Sequence, residues 1–244
     1  TNVAPVIDTV AATSVNENGT VTLSGTYHDV GTQDTHTLTI NWGEGTPVTL
    51  PVTGGTFSFT HQYLDDNPSG TSSDIKTIDV TLTDDDTGAV TGSTTTTITN
   101  LPPVIDTIAA TSVSENGTVT LSGTYHDVGT QDTHTLTIDW GEGSPVTLPV
   151  TGGTFSFTHQ YLDDNPTNSA SDVYTIGVTL TDDDTGSVTG STTTTITNLP
   201  PVIDTIAATS VDENGTGPPR GTSHDVCTPD TRSLTINWGE GTPV

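Results

Sequence analysis

The sequence repeats itself with a period of 98 residues, and this repeat constrains the fold more than any other feature. Residues 2–99 and 100–197 differ at 14 of 98 aligned positions without an insertion, and a third copy follows. A unit of this length is too long for a solenoid repeat and close to the ~100 residues of an immunoglobulin-like sandwich. We therefore expect consecutive domains. Their predicted bounds are 1–99, 100–197 and an incomplete, degenerate third repeat at 198–244.

Alternation of apolar and polar residues predicts β-strands within each repeat. In "TVTLSGTY" the side chains of Val21, Leu23 and Tyr27 share one face, and "HTLTINW", "TFSFTHQY" and "TIDVTLTD" alternate in the same way. Turn signals such as "NENG", "WGEG" and "DDDTG" separate these segments. No segment shows a helical period. We expect an all-β fold of tandem immunoglobulin-like sandwiches with about seven strands each, arranged as a rod.

The charge of the chain excludes several classes of partner. Thirty acidic residues stand against three basic ones, for a net charge of −27. Phosphate binding needs clustered Lys and Arg, so nucleic acid and anionic membrane surfaces are not expected partners. No apolar run is long enough to insert into a membrane. Because Met is absent, we expect a processed product or a fragment, and the single Cys227 permits no internal disulfide.

The order of the strands predicts where the acidic residues meet. We call the end of a repeat that receives the incoming linker its top and the opposite end its bottom. The top gathers the acidic residues of the "HDVGTQD" and "DDDTG" connections. They are Asp29, Asp34 and Asp84 to Asp86 in the first repeat, and Asp127, Asp132 and Asp182 to Asp184 in the second. The bottom of the first repeat carries Glu17, Asp65 and Asp66, which face the second top across the linker "NLPP".

Carboxylates from both sides of a short linker predict a Ca²⁺ site at the junction. Ca²⁺ takes six to eight oxygen ligands at about 2.3–2.6 Å, and without a cation such a cluster would repel itself. The predicted ligands are Glu17, Asp29, Asp65, Asp66, Asp84, Asp86, Asn100, Asp127, Asp182 and Asp184. The alternative is that "DDDTG" is only a solvated hairpin turn, because Asp and Gly suit turn backbones. The segment is not an EF-hand loop.

Three segments together resemble the polycystic-kidney-disease (PKD) type of domain. They are "WGEG", "FTHQY" and "VTLTDDDTG", which are similar to the family pattern W-x-F-G-D-G, H-x-Y and V-x-L-x-V-x-D. Each full repeat carries the set, with Glu44 and Glu142 in place of the turn aspartate and Lys76 where the second repeat has Tyr174. The resemblance implies an extracellular spacer or interaction module, of which some members bind calcium near the incoming linker.

Other candidate sites favour structural roles. His61 and His159 lie on the inward face beside aromatic residues, where a hydrogen-bonded structural histidine is expected. A zinc site at His28, His36 and Asp29 lacks a cysteine or a further clustered histidine. The "NGT" segments match the N-glycosylation pattern but also form favourable Asn-Gly turns. No nucleophile–base signature is present, so catalysis is not expected.

One segment of the third copy departs from the sequence of the other two. Its segment "GPPRGTS" replaces "VTLSGTY", and its two prolines cannot serve in a central strand. A degenerate terminal repeat and a locally misread sequence both account for this. With about half a domain missing, residues 199–244 are not expected to fold alone.

These features predict a non-enzymatic protein of the extracellular space or cell surface. We expect a spacer or stalk of an adhesin, with calcium-stiffened junctions and contacts to neighbouring repeats or copies of itself. Cell-surface or matrix ligands are further candidate partners. The alternative is a self-assembling filament or sheath subunit, in which a neighbouring chain completes the third repeat by strand addition. A carbohydrate-binding module has little support, because the tryptophans occupy inward positions.

Overall fold

A computed structural model of the chain describes residues 2–66, 70–164, 169–227, 230 and 232–239. The first repeat folds into two facing sheets of three and five strands, in the orders β1-β3-β6 and β2-β8-β7-β4-β5. Its strands are β1 Val6–Ala12, β2 Val15–Asn16, β3 Thr20–His28, β4 His36–Asn41, β5 Val48–Val52, β6 Thr56–Gln62, β7 Ser73–Asp84 and β8 Ala89–Thr99. This is an immunoglobulin-like β-sandwich, as the alternation predicted.

The second repeat reproduces the same topology, with sheets in the orders β14-β11-β9 and β10-β16-β15-β12-β13. Its strands are β9 Val104–Ala110, β10 Val113–Ser114, β11 Thr118–His126, β12 His134–Asp139, β13 Val146–Val150, β14 Thr154–Gln160, β15 Ser171–Thr181 and β16 Ser187–Thr197. Register is preserved as well, since Leu121 pairs with Phe157 just as Leu23 pairs with Phe59.

The opening segment of each repeat is divided between the two sheets, which raises the number of strands from about seven to eight. β1 pairs antiparallel with β3, and β2 then crosses over to pair parallel with β8 through Val15 and Ile98. Because of this crossing, β2 forms the edge of the five-stranded sheet next to β8, and residue 17 lies beside the end of β8.

The core of each repeat lies between its sheets and consists of the alternating apolar residues. In the first repeat Val21, Leu23, Leu38, Ile40 and Leu82 are fully buried. The equivalent set in the second repeat is Val119, Leu121, Leu136, Ile138 and Leu180. The two sets belong to separate apolar clusters, one within residues 7–98 and one within 105–196. Each repeat therefore encloses its own core.

The third copy forms only a two-stranded sheet among its described residues. β17 (Val202–Ala207) pairs antiparallel with β18 (Arg220–His224), which corresponds to the second half of β11. The prolines of "GPPRGTS" precede β18, so the strand survives only beyond them. Trp238 is 53% exposed, whereas Trp42 and Trp140 are buried. The core of this copy is therefore open.

In the described part of the chain, no helix has the length and apolar character needed to cross a membrane.

Candidate metal centre at the repeat junction

The junction between the first two repeats is a short, stiff linker held at both ends. Residues 100–103, "NLPP", connect β8 to β9, and their two prolines restrict the backbone. Asn100 is buried, and its amide nitrogen donates to Asp182 Oδ2 at 3.1 Å and to the carbonyl oxygen of Asp184 at 3.3 Å. Asn2 donates to Asp84 Oδ2 in the same way at 2.9 Å. The linker asparagine thus fastens each linker to the top of the repeat that follows.

Glu17 fastens the linker to the bottom of the first repeat. Its backbone N–H donates to the carbonyl oxygen of Thr99 at 3.0 Å, directly after the parallel pairing of β2 and β8. Its Oε1 accepts the N–H of Leu101 at 2.7 Å. The next residue, Asn18, has a positive φ of 56° in the Asn-Gly turn that the sequence favoured. This turn places the second carboxylate oxygen of Glu17 in the junction.

Six carboxylates from the two repeats meet at this junction. Three overlapping groups have ligand atoms within 4.8 Å of one another. The groups are Glu17 with Asp65 and Asp66, Glu17 with Asp127 and Asp132, and Asp65 with Asp132 and Asp184. Glu17, Asp65 and Asp132 each belong to two groups. We call the six residues the junction cluster.

The second repeat supplies its three carboxylates from two connections at its top. Asp127 follows β11, where Oδ1 accepts the N–H of Gly129 at 3.3 Å and Oδ2 contacts His134 Nε2 at 2.8 Å. Asp184 lies in the "DDDTG" turn, and its Oδ1 accepts the N–H of Gly70 from the first repeat at 2.6 Å. Backbone donors of both repeats therefore orient these acids.

The junction cluster and the neighbouring Asn100 contain buried oxygen atoms that accept no hydrogen bond. They are Oε2 of Glu17, both carboxylate oxygens of Asp66, both of Asp132 and Oδ1 of Asn100. The remaining such atoms among the described residues belong to Glu115, Asp164 and Asp225 at the next junction. Buried polar atoms normally have partners, and an unpaired buried carboxylate is strongly unfavourable. A cation bound at the junction would give the unpartnered carboxylate oxygens of its groups a partner.

Electrostatics at the junction disfavour the ionised acids when no cation is present. Burial, followed by repulsion from Asp132 and Asp127, raises the pKa of Glu17 to about 8, although the N–H of Leu101 partly opposes this. Burial and the charge of Asp184 raise the pKa of Asp66 to about 7. Burial and the charge of Asp127 raise the pKa of Asp132 to about 7. Each shift combines desolvation with repulsion between like charges.

The predicted ligands fall into distinct positions. Glu17, Asp65, Asp66, Asp127 and Asp184 belong to the junction cluster, and Asn100 lies beside it. Asp182 is in none of the groups; its Oδ1 accepts the N–H groups of Asp184 and Gly186, and its Oδ2 accepts Asn100. Asp182 therefore shapes the turn that presents Asp184.

The top of the first repeat carries a smaller acidic group. Asp29, Asp34 and Asp84 have oxygens within 4.8 Å of one another. Asp86, the equivalent of buried Asp184, is exposed and belongs to none of the groups. Asp29 pairs with His36 at 2.9 Å, and the N–H of Gly31 followed by this histidine lowers the Asp29 pKa.

Asp132 is the cluster member that was missing from the predicted ligands. The sequence predicts that Asp132 lies at the top of the second repeat, but the predicted ligands there were Asp127 and, from the "DDDTG" turn, Asp182 and Asp184. The signal that could have identified Asp132 is the repeated "HDVGTQD" connection, whose two aspartates both recur at the 98-residue period.

His61 and His159 make the hydrogen-bonding contacts expected of them. All seven histidines contact a carboxylate oxygen at 2.6–2.9 Å. His61 stacks on Trp42 with ring centroids 5.0 Å apart and contacts Glu44 Oε1 at 2.9 Å. Tyr63, edge-on to His61, donates its hydroxyl to the carbonyl oxygen of Trp42 at 2.6 Å. The "WGEG" and "FTHQY" segments thus form one packing unit.

Comparison with known proteins gives matches among solved structures only. No protein-family model matches the sequence, and no curated protein matches it. A tetra-tandem repeat from the extending region of a large adhesion protein is 22% identical, with a TM-score of 0.40, over 91% of this chain and 62% of that chain. Two fibronectin type-III domains of chicken tenascin are 12% identical, with a TM-score of 0.40, over 76% and 98%. A segment of a 1.5-MDa bacterial ice-binding adhesin is 18% identical, with a TM-score of 0.30, over 84% and 70%. The chain thus spans less than two thirds of the large-adhesion-protein segment, and the fold assignment rests on the strand pairing described above.

Proposed function

We propose that this chain is a non-enzymatic, extracellular spacer of the PKD-like type, in which Ca²⁺ at the junctions holds successive sandwiches in a rod. The observation that carries the proposal is the junction cluster, in which two repeats contribute buried carboxylate oxygens that lack hydrogen-bond donors. A single repeat presents only part of this set. A cation bound to both parts would oppose bending at the linker.

The chemistry of the junction cluster favours a hard divalent cation. Its charged groups are carboxylates, and the amide oxygen of Asn100 lies beside them. Ca²⁺ accepts six to eight oxygens in variable geometry, whereas Mg²⁺ demands a near-ideal octahedron and retains its waters. Six acids with differing orientations suit the larger ion. The net charge of −27 would also concentrate cations around the chain.

The experiment compares small-angle scattering and thermal melting of the chain in Ca²⁺ and in chelator. We expect Ca²⁺ to lengthen the average particle and to raise the melting temperature, because the bound ion fixes the linker and stabilises only the folded state. The substitution Asp184→Asn should weaken the Ca²⁺ response at least about tenfold in concentration, since it removes one charged ligand.

The matched control is Asp86→Asn, which changes the equivalent residue of the first repeat where it is exposed and outside the clusters. It should leave the Ca²⁺ response unchanged. If Ca²⁺ changes neither the scattering nor the melting of the unsubstituted chain, the acidic turns are only solvated turns and the proposal fails.

A second candidate function is assembly into filaments by strand addition. The observation that favours it is the open third copy, in which Ile203, Ile206 and Trp238 are each more than half exposed although their equivalents pack inward in the second repeat. A strand from another copy would cover these side chains. Sedimentation velocity at increasing concentration distinguishes the two functions: polymers support assembly, and a constant monomer supports the spacer.

A further inference from the structure

The junction between the second and third repeats carries a differently composed cluster. Glu115, Asp163, Cys227 and Asp230 have ligand atoms within 4.8 Å of one another. Three of these residues are the equivalents, 98 positions later, of Glu17, Asp65 and Asp132 in the junction cluster. The fourth, Cys227, stands where the second repeat has Gly129. The third copy thus adds a thiol to a set of carboxylates.

The geometry of the first junction shows where a side chain at this position points. A β-carbon built on Gly129 would overlap the carboxylate oxygens of Asp132 and Glu17, so a side chain at this position points into the cluster and displaces those carboxylates. At the second junction the same direction leads toward Asp230 and Glu115, and Cys227 is 1% exposed there. Its thiol donates to the carbonyl oxygen of Leu162 at 3.0 Å. The sulfur therefore faces the interior of the junction rather than solvent.

An independent feature of the second junction points to a ligand. Glu115 is 2% exposed, and its Oε1 accepts the N–H of Leu199 at 2.7 Å, but its Oε2 has no hydrogen-bond partner. This unpartnered oxygen is the one that lies toward the cluster, by analogy with Glu17 at the first junction. Asp164, 4% exposed, has an unpartnered Oδ2 at the same bottom. Buried oxygens of this kind require a proton or a cation.

The ligand types at the second junction select a different class of metal. Ca²⁺ binds oxygen ligands only, whereas Zn²⁺ and Cd²⁺ bind thiolate together with carboxylate. Four ligand atoms suit the tetrahedral preference of Zn²⁺. The usual distances are about 2.3 Å for Zn–S and about 2.0–2.2 Å for Zn–O. The four ligand atoms already lie within 4.8 Å of one another, and metal binding would draw them closer together.

We infer that Glu115, Asp163, Cys227 and Asp230 form a binding site for a thiolate-accepting divalent cation of the Zn²⁺ class, distinct from the oxygen-only junction cluster. On binding, the Cys227 S–H bond breaks, the sulfur coordinates the metal and the proton passes to water. No electron transfer takes place. The thiol also exchanges its hydrogen bond to Leu162 for the metal bond. This site does not depend on Ca²⁺ binding at the first junction.

The test is titration of the metal-free 244-residue chain with Cd²⁺, followed by the ultraviolet thiolate-to-cadmium charge-transfer band, and then competition with Zn²⁺. We expect the band to saturate at one Cd²⁺ per chain and Zn²⁺ to remove it. Cys227→Gly restores the residue found at the equivalent position of the second repeat. It should abolish the band and weaken Zn²⁺ binding at least about tenfold. Glu115→Gln should keep the thiol but shift the Cd²⁺ titration to higher concentration.

The control variant is Asp86→Asn, which should leave the Cd²⁺ titration unchanged. The inference is overturned if Zn²⁺ binds the Cys227→Gly chain as tightly as the unsubstituted one. It is also overturned if the urea-unfolded chain gives the band at the same Cd²⁺ concentration, because the thiol alone would then suffice. The Ca²⁺-dependent scattering of the Cys227→Gly chain reports separately on the first junction, so failure of one proposal is distinguishable from failure of the other.

Discussion

At the scale of single residues, Glu17 combines two tasks in one carboxylate. Oε1 accepts the N–H of Leu101 and holds the linker, while Oε2 is buried without a partner. Glu115 repeats the arrangement with Leu199 at the next junction. The first task requires an acceptor, and the second requires a counter-charge or a proton. The ionisation of Glu17 therefore contributes to the stability of the metal-free junction.

The raised pKa values predict how stability depends on pH without metal. The pKa is about 8 for Glu17 and about 7 for Asp66 and Asp132, all above the ordinary values near 4. The folded state therefore holds more protons than the unfolded state between about pH 4 and pH 8, so the free energy of unfolding falls as pH rises through this window. The extra stability is fully present below the ordinary values and lost above the raised ones.

The measurement is the free energy of unfolding against pH, in chelator and in saturating Ca²⁺. With Ca²⁺ bound, the ionised carboxylates are stabilised and the fall in stability should shrink. Glu17→Gln should flatten the chelator curve, because the amide does not titrate. Identical curves for the Gln variant and the unsubstituted chain would contradict this account of Glu17.

At the scale of elements, one strand of each small sheet depends on a glycine beneath an aromatic ring. A β-carbon built on Gly123 in β11 would overlap the ring of Phe155 and the carbonyl oxygen of Thr107. Gly25 and Phe57 have the same relation in the first repeat. The absence of a side chain leaves room for the ring, so this position contributes no side-chain volume to the core although it lies on the inward face.

We expect Gly123→Ala to destabilise the second repeat by about 1–3 kcal/mol, because overpacking displaces the ring or the strand. The control is Gly177→Ala in β15, where the nearest atom to a built β-carbon is 3.9 Å away and the first repeat already carries Asp79. That variant should be neutral or slightly more stable. Chemical denaturation followed by circular dichroism measures both, and equal effects of the two substitutions would contradict the proposed overlap.

The sequence predicted the elements better than the site. Period-two alternation identified the buried faces of β3, β4 and β7, because each packs one face on the core. The crossing of β1 into β2 was not visible, since "VIDTVAATSV" has no Gly, Pro or Asn at the point where the chain changes sheets. Asp182 was predicted as a ligand but lies outside the junction cluster, whereas Asp132 lies in the cluster but was not predicted. Local spacing shows that carboxylates are close in sequence, but hydrogen bonds to Asn100 and the backbone decide which oxygens remain free.

At the scale of the whole molecule, charge accumulates along a chain of repeating acidic junctions. The net charge is −27, with three basic residues in 244.

We expect the melting temperature in chelator to rise between roughly 10 mM and 150 mM NaCl, because the Debye length shortens from about 30 Å to about 8 Å. In saturating Ca²⁺ the increase should be smaller, since the densest clusters are already neutralised. The same salt dependence in both conditions would show that the junctions do not dominate the repulsion.

The parallel pairing of β2 with β8 also has a mechanical consequence. Tension applied between neighbouring repeats pulls the opening segment and the closing strand in opposite directions. The bonds between Val15 and Ile98, and between Glu17 and Thr99, are then sheared together rather than peeled apart one at a time. Glu17 and Asn100 lie directly at the end of this paired segment. The bonds between a bound ion and its ligands would therefore also have to break before the segment separates. Each repeat would resist stretching most strongly at the place where it joins the next.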